Sequence, residues 1–247
     1  MRKGIISIRL LGALIVACSL AAAQTQAPPP HATHPASAYD RALLNPALLT
    51  RKAPEAYDVK VITTKGPFVI HVTRAWAPNG ADRFYNLVRH HFYDGAYFFR
   101  VLKGFVVQFG LSAYPDVNKV WSNANIADDP VKQSNLAGYV TFATAGPNTR
   151  TTQVFINLND NSRLDSMGFS AFGQVTEGMD VVELLYSGYG EGAPDGNGPS
   201  QDAVGGKGGA YLAKNFPNLD SIKTAFIVTP AAPPKPAATP APKPAGN

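Results

Sequence analysis

The sequence has few charged side chains, a single cysteine and no long apolar run, and each of these absences excludes a class of protein. Only 16% of the residues are charged, and the formal charge of +5 includes Arg2, Lys3 and Arg9 at the start of the chain. Without these three, 19 of the 22 basic residues remain against 17 acidic ones, which leaves no dense basic face for nucleic acid. The only cysteine is Cys18, so no disulfide can stabilise a folded domain.

Residues 1–23 have the pattern of a secretory signal peptide. A basic start precedes an apolar stretch from Leu10 to Ala17, and small residues end at Ala23. The apolar stretch is too short to span a membrane, so we expect cleavage before Gln24 and export to the periplasm or the medium. A second reading stays open, because the residues up to Cys18 also resemble a bacterial lipobox, which would make the protein an outer-membrane lipoprotein.

Proline marks both ends of the remaining chain. Thirteen of the 21 prolines lie in residues 24–56 and 230–247. Such segments cannot form a core, so we predict a Pro/Ala-rich linker over 24–56, a folded domain over 57–229 and a disordered Pro/Ala/Lys tail over 230–247. Tyr39 to Leu49 could alternatively form a short docking helix within the linker.

The pattern between residues 57 and 229 is typical of a mainly β fold. Short alternating stretches predict many strands, one of them over Phe98–Phe109, and two amphipathic stretches predict helices after Pro78 and over Met179–Tyr186. This order favours an antiparallel closed barrel capped by two helices. Residues 187–221 are an insertion, Gly-rich in its first part, which we interpret as a variable loop in preference to a site for a specific partner.

The sequence contains no pattern that requires a cofactor or a metal. Its five histidines have no cysteine or carboxylate at metal-ligand spacing, and no glycine-rich phosphate loop with a following Ser or Thr occurs. We therefore predict no cofactor, no metal and no nucleic-acid partner, and we expect a monomer.

Two segments carry a resemblance to a known family. The first runs from Phe92 to Gly110 and contains FFRVLKGFVVQFG; the second runs from Phe142 to Ile156 and reads FATAGPNTRTTQVFI, followed by GFSAFGQV from Gly168. In this order they resemble the cyclophilin family of peptidyl-prolyl cis-trans isomerases over residues 57 to about 186. The resemblance implies an eight-stranded antiparallel barrel capped by two helices, X–Pro bonds of polypeptides as substrate and, with the leader, an exported bacterial member.

The resemblance also implies which residues act on the substrate. It assigns catalysis to Arg100, Phe105 and Gln108. It assigns substrate binding to Val106, Ala143, Thr144, Ala145, Gln153, Phe155, Leu164 and Phe169. The chain departs from the family pattern where Thr144 replaces a usual Asn, Phe169 a His and Arg163 a frequent Trp.

Physical chemistry supports these residue types. Amide resonance stiffens the X–Pro bond, and twisting it exposes the lone pair of the prolyl nitrogen, which a fixed cation can then stabilise. The sequence therefore predicts an isomerase that assists the folding of exported proteins. A peptide-binding module without turnover is the alternative that the three departures leave open.

Overall fold

The computed structural model describes residues 39–228, and its centre is a curled, fully antiparallel sheet. Its strands are β1 (Ala56–Thr63), β2 (Pro67–Thr73), β3 (Arg100–Leu102), β4 (Val106–Phe109), β5 (Tyr139–Phe142), β6 (Val154–Asn157), β7 (Ala171–Glu177) and β8 (Ile222–Val228). They pair in the order β3-β4-β6-β5-β7-β2-β1-β8. The predicted eight-stranded antiparallel fold is confirmed.

The barrel closes less completely than predicted. The edge strands β3 and β8 share no ladder, and the chain joins there only through a bridge between Tyr97 and Ser221 and hydrogen bonds such as Phe98 N–H to the Asp220 carbonyl. The predicted strand Phe98–Phe109 is instead a hairpin, because Gly104 turns the chain at a positive φ of 71°.

Four α-helices accompany the sheet in the described residues: α1 (Pro78–Arg89), α2 (Pro115–Trp121), α3 (Met179–Glu183) and α4 (Gln201–Asn215). Helix α1 begins with a proline at its first position and buries Phe84, Leu87 and Val88, as its apolar spacing predicts. No helix among the described residues is long and apolar enough to cross a membrane.

Residues predicted as a variable loop form helix α4. The expectation of an irregular insertion was wrong there, because α4 packs against α2 and is interrupted at Gly208. A Cβ at Gly208 would lie 2.2 Å from the Ala113 carbonyl oxygen, so the glycine permits the close approach of the two segments.

The segment predicted as a linker over 24–56 enters the core in its second half. Two 3-10 helices span Arg41–Leu44 and Pro46–Leu48, and Leu43 is 1% exposed in the main hydrophobic cluster. The indole N–H of Trp121 donates to the Leu43 carbonyl at 2.8 Å. The packed part of the chain therefore begins before residue 57. The predicted leader and the tail over 230–247 lie outside the described residues.

Candidate active site

Alternation along the strands builds a groove on the face of the sheet opposite the core. In β4, Val107 and Phe109 point into the main core, whereas Val106 and Gln108 line a cavity of about 550 Å³. In β6 the neighbours of Phe155 point into the core, and Phe155 itself lines the cavity. Successive residues of these strands therefore alternate between the core, where they stabilise the fold, and the groove, where they can contact a substrate.

The hairpin of β3 and β4 brings a cation to the rim of this groove. Arg100 pairs directly with Gln108 across the hairpin, so their side chains are neighbours on one face. Arg100 Nη1 donates to Gln108 Oε1 at 3.1 Å, and Gln108 Nε2 donates to Gln153 Oε1 at 2.9 Å. The guanidinium lies 5.6 Å from the centre of the Phe105 ring.

A carboxylate from the insertion completes the environment of this cation. Arg100 Nε and Nη2 donate to the two oxygens of Glu191 at 2.6 Å and 2.7 Å. The hydrogen bonds from Arg100 lower the pKa of the Glu191 carboxyl below its ordinary value. The Glu191 carboxyl is therefore ionised at neutral pH.

An apolar slot lies beside the guanidinium. Val106, Phe155 and Leu164 form a small buried cluster separate from the main core, and Phe105, Ala143 and Phe169 pack against it. The rings of Phe155 and Phe169 meet edge to face with centroids 5.7 Å apart. Such a slot suits a proline ring, which is compact and apolar.

Buried polar contacts hold the walls of the slot. Asn135 Nδ2 donates to the Phe169 carbonyl at 2.8 Å and to Asp165 Oδ1 at 2.7 Å. On the other wall, Asn161 Nδ2 donates to the Phe105 carbonyl at 2.9 Å. The two aromatic side chains are thus positioned through their own backbone.

The remaining rim is the segment that follows β5. The Ala143 N–H donates to the Gln153 carbonyl at 3.0 Å, and the Ala145 N–H donates to the Thr149 hydroxyl at 2.9 Å. Thr144 hydrogen-bonds Thr149 and the Gly146 carbonyl, so its hydroxyl serves this turn.

Every residue that the family resemblance assigns to catalysis or substrate binding lies at this one groove. The cavity is lined by Arg100, Phe105, Val106, Gln108, Ala143, Thr144, Ala145, Gln153, Phe155, Leu164 and Phe169. Sequence reasoning missed Thr149, Thr151, Met167, Glu191, Asp195 and Gln201, which also line it. The two threonines and Met167 lie within or beside the segments quoted above. The other three belong to the insertion, whose composition carries no signal for the groove.

Comparison with known proteins agrees with this geometry. A family model described as cyclophilin type peptidyl-prolyl cis-trans isomerase/CLD matches residues 58–203. A peptidyl-prolyl cis-trans isomerase of Streptomyces antibioticus is 35% identical over 138 residues, covering 51% of this chain and 81% of the relative. Peptidyl-prolyl cis-trans isomerase A of Dickeya dadantii is 33% identical over 135 residues, covering 51% and 70%.

A solved structure shows the same fold. The crystal structure of a cyclophilin type peptidyl-prolyl cis-trans isomerase from Cryptosporidium parvum superposes with a TM-score of 0.53 at 19% identity, covering 71% of this chain and 99% of that one. A second structure of that protein was determined in the presence of the dipeptide Ala-Pro.

The curled antiparallel sheet with an apolar groove beside an arginine defines a cyclophilin-type domain. Because the family model matches more than half of its residues, the chain belongs to the cyclophilin-type peptidyl-prolyl cis-trans isomerase family. It is a peptidyl-prolyl cis-trans isomerase, EC 5.2.1.8, and its substrates are proline-containing peptides.

Proposed function

We propose that this isomerase acts on polypeptides that fold outside the cytoplasm, and that Arg100 stabilises the twisted X–Pro amide in the transition state. The observation that supports the catalytic part is the position of a guanidinium beside an apolar slot. A proline ring in the slot would leave its amide next to the cation.

Planar and twisted amides differ in how the nitrogen lone pair is shared with the carbonyl group. Rotation about a peptide bond has a barrier of about 18–20 kcal/mol, because the nitrogen lone pair is delocalised in the planar state. The twisted state localises this lone pair, which then accepts a hydrogen bond. A donor that interacts more strongly with the twisted state than with either planar state lowers the barrier without a nucleophile.

Each part of the groove has a role in this proposal. Phe105, Val106, Phe155, Leu164 and Phe169 enclose the proline ring, and Ala143, Thr144 and Ala145 bind the substrate backbone. Gln153 binds the substrate beside them, and Gln108 orients Arg100 as its hydrogen-bond neighbour. All of these residues come from one chain, so we propose that the enzyme acts as a monomer.

Substitution of Arg100 tests the catalytic assignment. We expect Arg100→Ala to lower kcat/KM by at least about tenfold, ~1.4 kcal/mol of transition-state stabilisation. Arg100→Lys should recover little of the lost kcat/KM, because an ammonium group does not reproduce the planar arrangement of guanidinium donors. A protease-coupled assay on a short X–Pro peptide, with folding checked by circular dichroism, measures both.

A matched control separates this effect from the loss of any guanidinium. Arg89 is exposed on α1 and also lies over an aromatic ring, 5.5 Å from the centre of Tyr85. Arg89→Ala should keep wild-type kcat/KM. Wild-type rates in folded Arg100→Ala protein would exclude the assigned role.

The extracytoplasmic part of the proposal is supported by the leader alone. Its basic start, short apolar stretch and small residues before Gln24 match an export signal. Mass spectrometry of the mature protein should find Gln24 at the amino terminus, or a lipidated Cys18 if the lipobox reading holds. A mature protein beginning at Met1 would contradict export.

A further inference from the structure

The insertion after α3 places one acidic side chain on the arginine of the active site. Glu191 contacts Arg100 through both carboxylate oxygens, although the two residues are 91 positions apart in the chain. The side chains of the pair are 20% and 36% exposed, respectively, for Arg100 and Glu191. A partly buried, bidentate pair is geometrically specific, unlike a surface pair between flexible side chains.

The loop around Glu191 is built to hold this carboxylate in place. The Glu191 carbonyl accepts from the Gly198 N–H at 2.8 Å, and the Gly192 N–H donates to Glu191 Oε1 at 2.9 Å. A Cβ at Gly196 or Gly198 would lie 2.3 Å or 2.7 Å from the Glu191 carbonyl oxygen. The glycines of the insertion therefore allow the chain to fold tightly about this residue.

The existing hydrogen bonds of the Arg100 guanidinium determine which of its N–H groups can still donate to a substrate. A guanidinium has five N–H donors in one plane. Glu191 takes one at Nε and one at Nη2, and Gln108 takes one at Nη1. Among residues 39–228, no other group accepts from the second N–H of either terminal nitrogen. The guanidinium plane is thus held from two sides, and these two N–H groups can donate to a substrate.

We propose that Glu191 is a positioning residue for the isomerase reaction, which holds the Arg100 guanidinium against the groove. The proposal rests on the role of Arg100 proposed above. The groove keeps a volume of about 550 Å³ with the ion pair formed, so Glu191 forms part of the wall and leaves room for a proline. A donor already oriented in the free enzyme loses less freedom in the transition state and stabilises it more.

Removal of the carboxylate tests the proposal in the full chain. We expect Glu191→Ala to lower kcat about fivefold with KM within about twofold, because positioning acts on the transition state more than on substrate binding. The nearly isosteric Glu191→Gln should also lower kcat, but by a smaller factor, since an amide oxygen still accepts one of the two hydrogen bonds. Both are measured on a short Ala-Pro peptide, after circular dichroism and thermal melting show a native fold.

Asp202→Asn is the matched control. Asp202 belongs to the same insertion, is exposed and does not line the cavity. Its substitution removes the same single charge without touching Arg100, so kcat should stay at the wild-type value. An equal loss in Asp202→Asn would show a general charge effect and overturn the proposal.

A double-substitution cycle shows whether Glu191 acts through Arg100. In an Arg100→Ala background, Glu191→Ala should have no further effect on kcat, whereas a purely structural role would still lower it. An unchanged or raised kcat in Glu191→Ala alone would overturn the proposal, and a raised one would mean that the loop competes with substrate.

These outcomes separate the two proposals. If Arg100→Ala is impaired and Glu191→Ala is not, only the positioning role fails. If Arg100→Ala keeps wild-type activity, the proposed role of Arg100 fails, and the role of Glu191 fails with it.

Discussion

At the groove edge, the Arg163 guanidinium lies 4.8 Å from the centre of the Phe105 ring. Arg163 occupies the position at which the family pattern frequently has Trp. The arginine is exposed and shares the Phe105 ring with Arg100. An apolar ligand at this edge would have to displace or desolvate a guanidinium, which is unfavourable without a carboxylate partner. Short substrates that use mainly the proline slot avoid this contact.

The presence of Arg163 at the groove edge predicts how the enzyme responds to cyclic peptide inhibitors. Cyclosporin-type ligands, which the family resemblance implies as groove ligands, should inhibit this enzyme weakly. Arg163→Trp should strengthen inhibition, because an indole offers a flat apolar surface and an N–H donor. Inhibition curves of the two proteins measure the difference. Nanomolar inhibition of the unmodified chain, or an unchanged curve for the variant, would contradict the prediction.

At the scale of elements, the short 3-10 helices before β1 stabilise the domain in addition to leading into it. Leu43 is 1% exposed, and its carbonyl accepts from the Trp121 indole on α2. Leu48, in the next 3-10 helix, is 74% exposed. Two leucines five positions apart therefore differ strongly in burial, one inside the core and the other exposed to solvent.

This contrast predicts a difference in stability. Leu43→Ala should lower the free energy of unfolding by about 2–5 kcal/mol, the range for a leucine truncated in a core. Leu48→Ala should change it by less than about 0.5 kcal/mol, because its side chain already contacts solvent. Urea unfolding followed by tryptophan fluorescence measures both. Equal effects would show that the segment does not dock as described.

At the scale of the whole molecule, contacts between aromatic rings run through the described core, which contains no cysteine. Phe92, Tyr93, Phe98, Phe109 and Trp121 form a chain of ring contacts with centroids 5.3–5.7 Å apart. Large rings bury much apolar area per residue, so these contacts contribute to the stability of a domain that has no disulfide.

The boundary of this core predicts which part of the chain can be removed. Strand β8 ends at Val228 and pairs with β1, so truncation after residue 229 leaves the ladder complete. Deleting residues 230–247 should change the melting temperature by less than about 2 °C, because the segment has no core-forming side chains. Deleting residues 222–247 removes β8 and should prevent folding. A large loss of melting temperature in the shorter deletion would show that the tail docks.

The sequence by itself determined the parts of this protein that depend on local pattern. Alternation in β4 separates Val107 from Gln108, and two contiguous segments already contain most of the groove. The turn at Gly104, which makes Arg100 and Gln108 neighbours, was not predicted, since the sequence indicated one strand over Phe98–Phe109.

Only the tertiary structure decided the contacts that join distant segments. Four glycines between Gly205 and Gly209 oppose a helix by intrinsic propensity, yet α4 forms because its glycines let it pack closely on Ala113. Glu191 reaches Arg100 from a loop whose composition does not predict the contact. Leu43 enters the core from a segment that the sequence left open between a linker and a short docking helix, and the structure shows that this segment docks. The physical reason is that burial and ion pairing depend on which surfaces meet in space, whereas propensity and periodicity describe only neighbours along the chain.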